Sequence, residues 1–302
     1  MNMDRKLGNI PQSRDWLKVT PLAKGWSNDE KYHILANDGQ EYLLRLSAAS
    51  LYDKKQKQFA MLNRVESLGI LAPRPIAFGT LRDQKVYTLL SYLPGKDASE
   101  TLPKLPARAQ YELGYEAGGI MRQMHAVDVD TAGLNWWNIF QTKAKRKLEL
   151  LHSAQLELPK QDLILGYYQK HMELVRDRPI KFQHGDYHVG NMLICDGRLA
   201  IIDFDKMAAA DPYEEFKPFI WNVWASPQFA TGIIDGYFTD QIPTDFFPIL
   251  ALYAADSLIG SLPWAERFGA EEVRVALEGA QAVLTWYADF TLVRPTWYQH
   301  TT

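Results

Sequence analysis

The chain has 302 residues, 47% hydrophobic and 23% charged, the make-up of a globular protein with one large or two ordinary domains. Its opening, Met1-Asn2-Met3-Asp4-Arg5-Lys6, is charged rather than apolar and argues against a secretory signal. No uninterrupted apolar run is long enough to cross a bilayer, so no membrane partner is expected, and the cytoplasm is the expected location. A single cysteine, Cys195, excludes an intrachain disulfide framework and a cysteine-based metal cluster. The net charge of −3 divides unevenly: residues 205–302 carry 13 acids and 5 bases, a net of −8, which leaves +5 on the remainder. That acidic far end disfavours nucleic acid as a partner and suits a cationic ligand, although a solvated acidic helical face would look the same.

In chain order, residues 31–36 and 41–46 alternate around Asn37-Asp38-Gly39 and read as a β-hairpin. A helix is expected over 54–68, with Phe59, Leu62, Val65 and Leu68 near helical spacing and Gly69 at the capping position. The lysines from Lys54 to Lys57 read as its solvated face. Pro73 and Pro75 break the chain, residues 85–92 read as another strand, and Pro94-Gly95 marks a hinge. Helices are then expected over 106–127, 139–153 and 160–177, with several more from 212 onward. Between them lie two short strand-like runs, 192–195 and 199–204, around Asp196-Gly197, and Cys195 reads as a small buried hydrophobe in the first of them. The pattern is α+β: a small β-rich lobe over residues 1–93 and a larger helical lobe over 94–302, with a ligand expected in the cleft between them.

The chemistry concentrates in His184-Gly185-Asp186-Tyr187-His188-Val189-Gly190-Asn191, followed by Ile201-Ile202-Asp203-Phe204-Asp205. Histidine, aspartate and asparagine fall at the spacing of the kinase catalytic loop, with Gly185 in place of its arginine, and Asp203-Phe204 follows across a hairpin. Phosphoryl transfer asks for positioning and charge neutralisation. Asp186 suits the role of base that aims the acceptor hydroxyl and takes its proton, while Asn191 and Asp203 offer hard oxygen ligands for Mg²⁺. These three side chains are expected to converge on one magnesium–phosphate centre. His184 and His188 read as loop-orienting hydrogen-bond formers rather than metal ligands, and Asp205 as either a metal-site or a loop-capping residue.

At these residues the chain resembles the aminoglycoside phosphotransferase and choline kinase family, which implies a bilobal protein-kinase-like fold, ATP or GTP as donor, and a small-molecule acceptor. The resemblance implies that Gly25, Ser27 and Asn28 form a phosphate-covering turn and that the main chain at Ser91 and Leu93 holds the adenine. Arg45 stands where the family presents a lysine or arginine to the phosphates. Gln58 stands where a glutamate usually pairs with that cation, so a Gln58–Arg45 hydrogen bond takes the place of an ion pair.

Gly185, the short span from Asp203 to Pro212 and the lack of Ala-Pro-Glu argue against a peptide substrate. The acidic far segment, with Glu214, Glu215, Asp256, Glu266 and Asp289 as candidate ligands, makes a cationic hydroxyl compound such as an aminoglycoside antibiotic the first expectation. Trp264 and Trp286 are candidates to flank it, or core residues. Choline, homoserine, fructosamine and thiosugar kinases share the loop and form the alternative, an inactive nucleotide-binding regulator a more remote one. The loop does not decide among these acceptors, nor the oligomeric state.

Overall fold

The computed structural model describes residues 7–22, 28–239 and 241–299. It divides into two compact units: one running to Lys96 together with Met192–Asp205, the other comprising Asp97–Asn191 and the chain from Lys206 onward. The hairpin after the His184–Asn191 loop thus belongs with the amino-terminal unit.

In the first unit, β1 (Trp16–Leu22), β2 (Glu30–Ala36), β3 (Glu41–Ser47), β4 (Pro75–Thr80) and β5 (Val86–Ser91) form an antiparallel sheet in the order β1-β2-β3-β5-β4. The β2–β3 hairpin pairs Ile34 with Tyr42 and Lys31 with Arg45. Strand alternation buries Tyr32, Ile34 and Ala36 on one side of β2. Ile10, Ile34, Leu44, Leu46, Tyr87 and Leu89 close together into one core cluster, each side chain stabilising the fold by about 1.5–3 kcal/mol. Pro75, expected as a chain break, opens β4. It does so on an edge strand, where a missing N–H forfeits little of the ladder.

The expected helix spans Tyr52–Glu66 and buries Leu62 and Val65. It also buries Lys55, which corrects the reading of Lys54 to Lys57 as a wholly solvated face. The later hairpin pairs Met192 with Ile201 and Leu193 with Ala200, and Ile201 donates its amide to the Leu71 carbonyl at 2.9 Å. Its second strand, expected to reach residue 204, stops at Ile201, two residues before Asp203 turns the backbone left-handed at φ 62°. Cys195 is half-buried rather than buried.

The second unit is largely helical, with helices Ala107–His125, Trp136–His152, Gln161–His171, Phe219–Ala225, Pro227–Phe238, Phe246–Ala265 and Ala270–Trp286. The second of these begins three residues earlier than expected because the Asn135 side chain accepts the Asn138 amide at 3.0 Å and caps it. The third ends at His171, where a tighter turn over Met172–Val175 takes over. Ala107–His125 and Pro227–Phe238 approach backbone to backbone: a Cβ at Gly118 would meet the Ile233 carbonyl, and one at Gly236 the Tyr115 carbonyl. Phe246–Ala265 is long and apolar enough to span a membrane by composition, contrary to the sequence expectation, yet 78% of its most apolar stretch is buried, as in a core helix. A short antiparallel pair, Lys181–Gln183 against Ala208–Ala210, holds the chain entering the His184–Asn191 loop beside the chain that follows Lys206.

Candidate active site

The loop from His184 to Asn191 is fixed from several directions within the second unit. Glu215 accepts the main-chain amides of His184 at 2.7 Å and Gly185 at 2.9 Å. His184, wholly buried, accepts the Asp186 amide on Nδ1 at 3.2 Å. Asn222 accepts the Val189 amide at 2.7 Å. Gly185 sits at φ 83°, and a Cβ there would run into the Lys206 carbonyl, so glycine occupies this position for steric reasons. Gly185→Ala is expected to displace the loop from Lys206, lowering the thermal midpoint by several degrees and kcat by about tenfold or more. Calorimetry and steady-state kinetics on one preparation check both effects.

These constraints present the Asp186 carboxylate in one orientation. Its Oδ2 accepts hydrogen bonds from Asn191 Nδ2 at 3.0 Å and Lys206 Nζ at 3.0 Å, and His188 Nε2 lies 3.7 Å away. Its Oδ1 has no partner among the described residues. Burial alone would raise this carboxyl, but His188 and Lys206 outweigh it and hold the group well below the usual carboxylate range. Asn191 also donates to the Asp186 carbonyl at 2.9 Å. With its NH₂ turned toward Asp186, the amide oxygen of Asn191 is left unengaged among the described residues.

In the first unit a charged cluster gathers on β3. Arg45 pairs with Asp29 at 3.0 Å, with Asp203 at 3.3 Å and closely with Asp205, and Lys55 pairs with Asp29 at 2.8 Å and Asp205 at 3.2 Å. Gln58 donates its amide to the Asp205 main-chain carbonyl at 2.7 Å, so the expected Gln58–Arg45 bond is replaced by a contact to the following turn. Arg45 takes its counter-charge from the residue preceding β2 and from the turn after the second hairpin. Burial opposes ionisation of Asp29, but hydrogen bonds from Lys55 and Ser47, with the positive charges of Lys55 and Arg45, hold it below its ordinary range. Asp203 is bound through Oδ1 and remains 39% exposed at its side chain, and its Oδ2 has no partner among the described residues.

Of the expected nucleotide contacts, Gly25 and Ser27 lie outside the described residues, and Asn28 is exposed. Ser91 ends β5, with its amide donating to the Arg74 carbonyl and its hydroxyl accepting the Arg74 amide, both at 2.9 Å, and Leu93 follows half-buried.

The five acids expected to face a cationic acceptor all have partners within the fold. Glu214 is bound by Lys143 at 2.8 Å and Lys217 at 2.7 Å; Asp256 by Lys147 at 2.5 Å, Lys217 at 2.8 Å and the Tyr168 hydroxyl at 3.0 Å. Glu215 holds the catalytic loop. Glu266 accepts the amides of Gln155 and Leu156, and Asp289 pairs with Lys160 at 2.5 Å. Trp286 packs on Phe219 with ring centroids 6.1 Å apart, whereas Trp264 is 45% exposed.

The sequence pattern of the phosphotransferase enzyme family matches residues 18–247. The chain belongs to that family. No curated protein sequence matches it. Among solved structures, the GDP and kanamycin complex of APH(2")-IIia aligns with a TM-score of 0.71 at 17% identity, covering 93% of this chain and 96% of that one. The GDP complex of wild-type aminoglycoside 2'-phosphotransferase-IIIa gives 0.69 at 17% identity, with 92% and 95% covered. A thermostable mutant of aminoglycoside phosphotransferase APH(4)-Ia in ternary complex with ADP and hygromycin B gives 0.63 at 17% identity, with 89% and 94% covered. The phosphotransferase therefore shares the α+β fold of these structures, and the reaction of its family is phosphoryl transfer.

Three charged residues that bind these side chains, each within its own unit, carry no mark of their own in the sequence. Lys55 was masked by Lys54 and Lys57 on either side, although it lies one helical turn before Gln58. Lys206, three positions past Asp203, and Asp29, next to Asn28, sit beside residues that were singled out but carry no pattern of their own.

Proposed function

We propose that this phosphotransferase moves the γ-phosphoryl group of ATP or GTP onto a hydroxyl of a small organic molecule, with Asp186 as the base. The observation that supports this most is the Asp186 carboxylate itself: ionised, held at Oδ2 by Asn191 and Lys206, and unengaged at Oδ1 among the described residues. The acceptor oxygen attacks the γ-phosphorus and the bond to the β–γ bridging oxygen breaks. The hydroxyl proton passes to Asp186 Oδ1, and the nucleoside diphosphate leaves.

The unengaged amide oxygen of Asn191 and the partly exposed carboxylate of Asp203 are each hard donors of the kind Mg²⁺ prefers, so each fits the metal as a ligand. When bound it supplies charge neutralisation to the phosphate oxygens. Arg45 contacts the phosphates, Gly25, Ser27 and Asn28 cover them, and the main chain at Ser91 and Leu93 holds the base. Asp205 and Gln58 fix the turn beyond Asp203, and His188 keeps Asp186 oriented.

Asp29 holds both Arg45 and Lys55. Asp29→Asn is expected to raise the KM for ATP by about tenfold, the cost of one charge-assisted bond, with the acceptor KM within about twofold of wild type. Initial rates at varied ATP check this.

The relatives crystallised with kanamycin and hygromycin B make an aminoglycoside the first acceptor to try, with antibiotic resistance its biological meaning. The internal pairing of Glu214, Asp256 and Asp289 with lysines favours instead a metabolite of low charge. Purified protein supplied with ATP or GTP, Mg²⁺ and a panel of both kinds decides between them. Transfer to aminoglycosides alone supports the first reading, transfer to low-charge alcohols the second, and transfer to none rules out both.

A further inference from the structure

The helix Phe219–Ala225 buries Phe219, Asn222 and Val223 against its own unit and turns Trp221 and Trp224, one helical turn apart, toward solvent. The two indoles are 45% and 41% exposed, a large apolar surface to leave in water. They meet edge to face with ring centroids 5.4 Å apart. Trp221 lies 6.3 Å from the His188 ring, whose Nε2 is 3.7 Å from Asp186 Oδ2. The same helix supplies Asn222, which holds the Val189 amide of the catalytic loop, so the indoles and the base are fixed to one another through a single short element. Trp224 is backed by the helix Ala270–Trp286, since a Cβ at Gly279 would lie 3.7 Å from its Cη2. No cation covers either ring among the described residues.

We infer that Trp221 and Trp224 form the acceptor platform of this phosphotransferase, and that the acceptor is an uncharged, ring-bearing alcohol whose ring face stacks on the indoles. It rests on the phosphotransferase reading above and names the substrate class of the same site. Two observations set the charge. The acids that would receive a polycation are occupied by Lys143, Lys147, Lys160 and Lys217 or by loop amides. The cation at the base, Lys206, pairs with Asp186 at 3.0 Å and offsets the one carboxylate that would draw a positive ligand toward the reacting hydroxyl. Rigid aromatic surface with one polar group aimed at the reacting hydroxyl is how a site binds a neutral ring.

The test uses p-nitrophenyl β-D-glucopyranoside as the neutral ring, with kanamycin as polycation and choline as small cation, each with ATP and Mg²⁺. The glucoside is expected to be the preferred acceptor. Trp221→Ala should raise its KM about tenfold while kcat stays within about threefold, Trp221→Phe should recover most of the loss, and Trp224→Ala should act in the same direction. Saturation-transfer NMR should show protein contact to the glucoside ring protons in wild type and weaker contact in Trp221→Ala. Preference for kanamycin or choline overturns the assignment, as does a glucoside KM unmoved by Trp221→Ala. If ATP is consumed but the glucoside neither accepts phosphate nor shows saturation transfer, only the platform falls. If ATP is not consumed with any of the three compounds, the phosphotransferase reading falls with it.

Discussion

Asp186→Asn is expected to lower kcat by about 10²-fold or more while leaving the KM for ATP within about threefold. The substitution keeps the shape of the side chain and removes only its ability to take the acceptor proton. Asn191 and Lys206 both donate to Asp186 Oδ2, so an amide oxygen at that position still accepts from them and the loop stays in place. Backbone anchoring by Glu215, His184 and Asn222 does not involve the carboxylate at all. Loss of kcat with retained nucleotide affinity and an unchanged thermal midpoint therefore isolates proton transfer from folding. Steady-state kinetics with calorimetry on the same preparation measure it. Lys206 sharpens the interpretation, because its cation helps to hold Asp186 ionised. Lys206→Met should raise the carboxyl pKa and move the acid limb of kcat/KM to higher pH.

Asp256→Ala is expected to be the most damaging substitution for stability, costing about 3–5 kcal/mol, because it strips the counter-charge from buried lysines. Asp256 is fully buried in the core helix Phe246–Ala265 and is bound by Lys147, Lys217 and Tyr168. Lys217 retains Glu214, but Lys147 loses the only carboxylate that binds it among the described residues. Burial and the neighbouring Lys217 already push the Lys147 ammonium down to about 8. Calorimetry should show a fall in thermal midpoint of about 10 °C. A group that bound substrate would behave differently, raising the acceptor KM with little change in midpoint. The pH dependence has a definite sign. Burial opposes ionisation of Asp256, yet Lys217 and Lys147 hold its carboxyl below the ordinary range, so the unfolded chain takes up the proton first. Its contribution is complete above the ordinary carboxylate pKa and drains away as the pH falls below about 4.

The catalytic loop and the first hairpin were legible in sequence because both depend on local rules. His184, Asp186 and Asn191 declare themselves by spacing, and β2 and β3 by alternation around Asn37-Asp38-Gly39. The pairing of charges was not legible, because it is set by contacts between distant segments. The −8 of residues 205–302 looked like a cationic binding face. The lysines that answer much of it, Lys143, Lys147 and Lys160, lie upstream of the segment over which charge was counted. Glu215 carries no mark that distinguishes an anchor for two loop amides from a substrate ligand. Lys55 was hidden for the opposite reason: a charged residue among charged neighbours reads as surface, and only the tertiary fold brings Asp29 and Asp205 to it. Edge strand β4 was obscured by its proline, which is tolerated because the strand has a neighbour on one side only.

The most direct test of the chemistry follows ATP and an accepted alcohol by ³¹P NMR in the presence of Mg²⁺. The expected result is loss of the γ-phosphate signal matched one for one by a new phosphomonoester signal and by ADP, with no such signal from Asp186→Asn over the same period. Free phosphate in place of the ester, or ester formed by Asp186→Asn at the wild-type rate, would contradict transfer to a hydroxyl with Asp186 as its base.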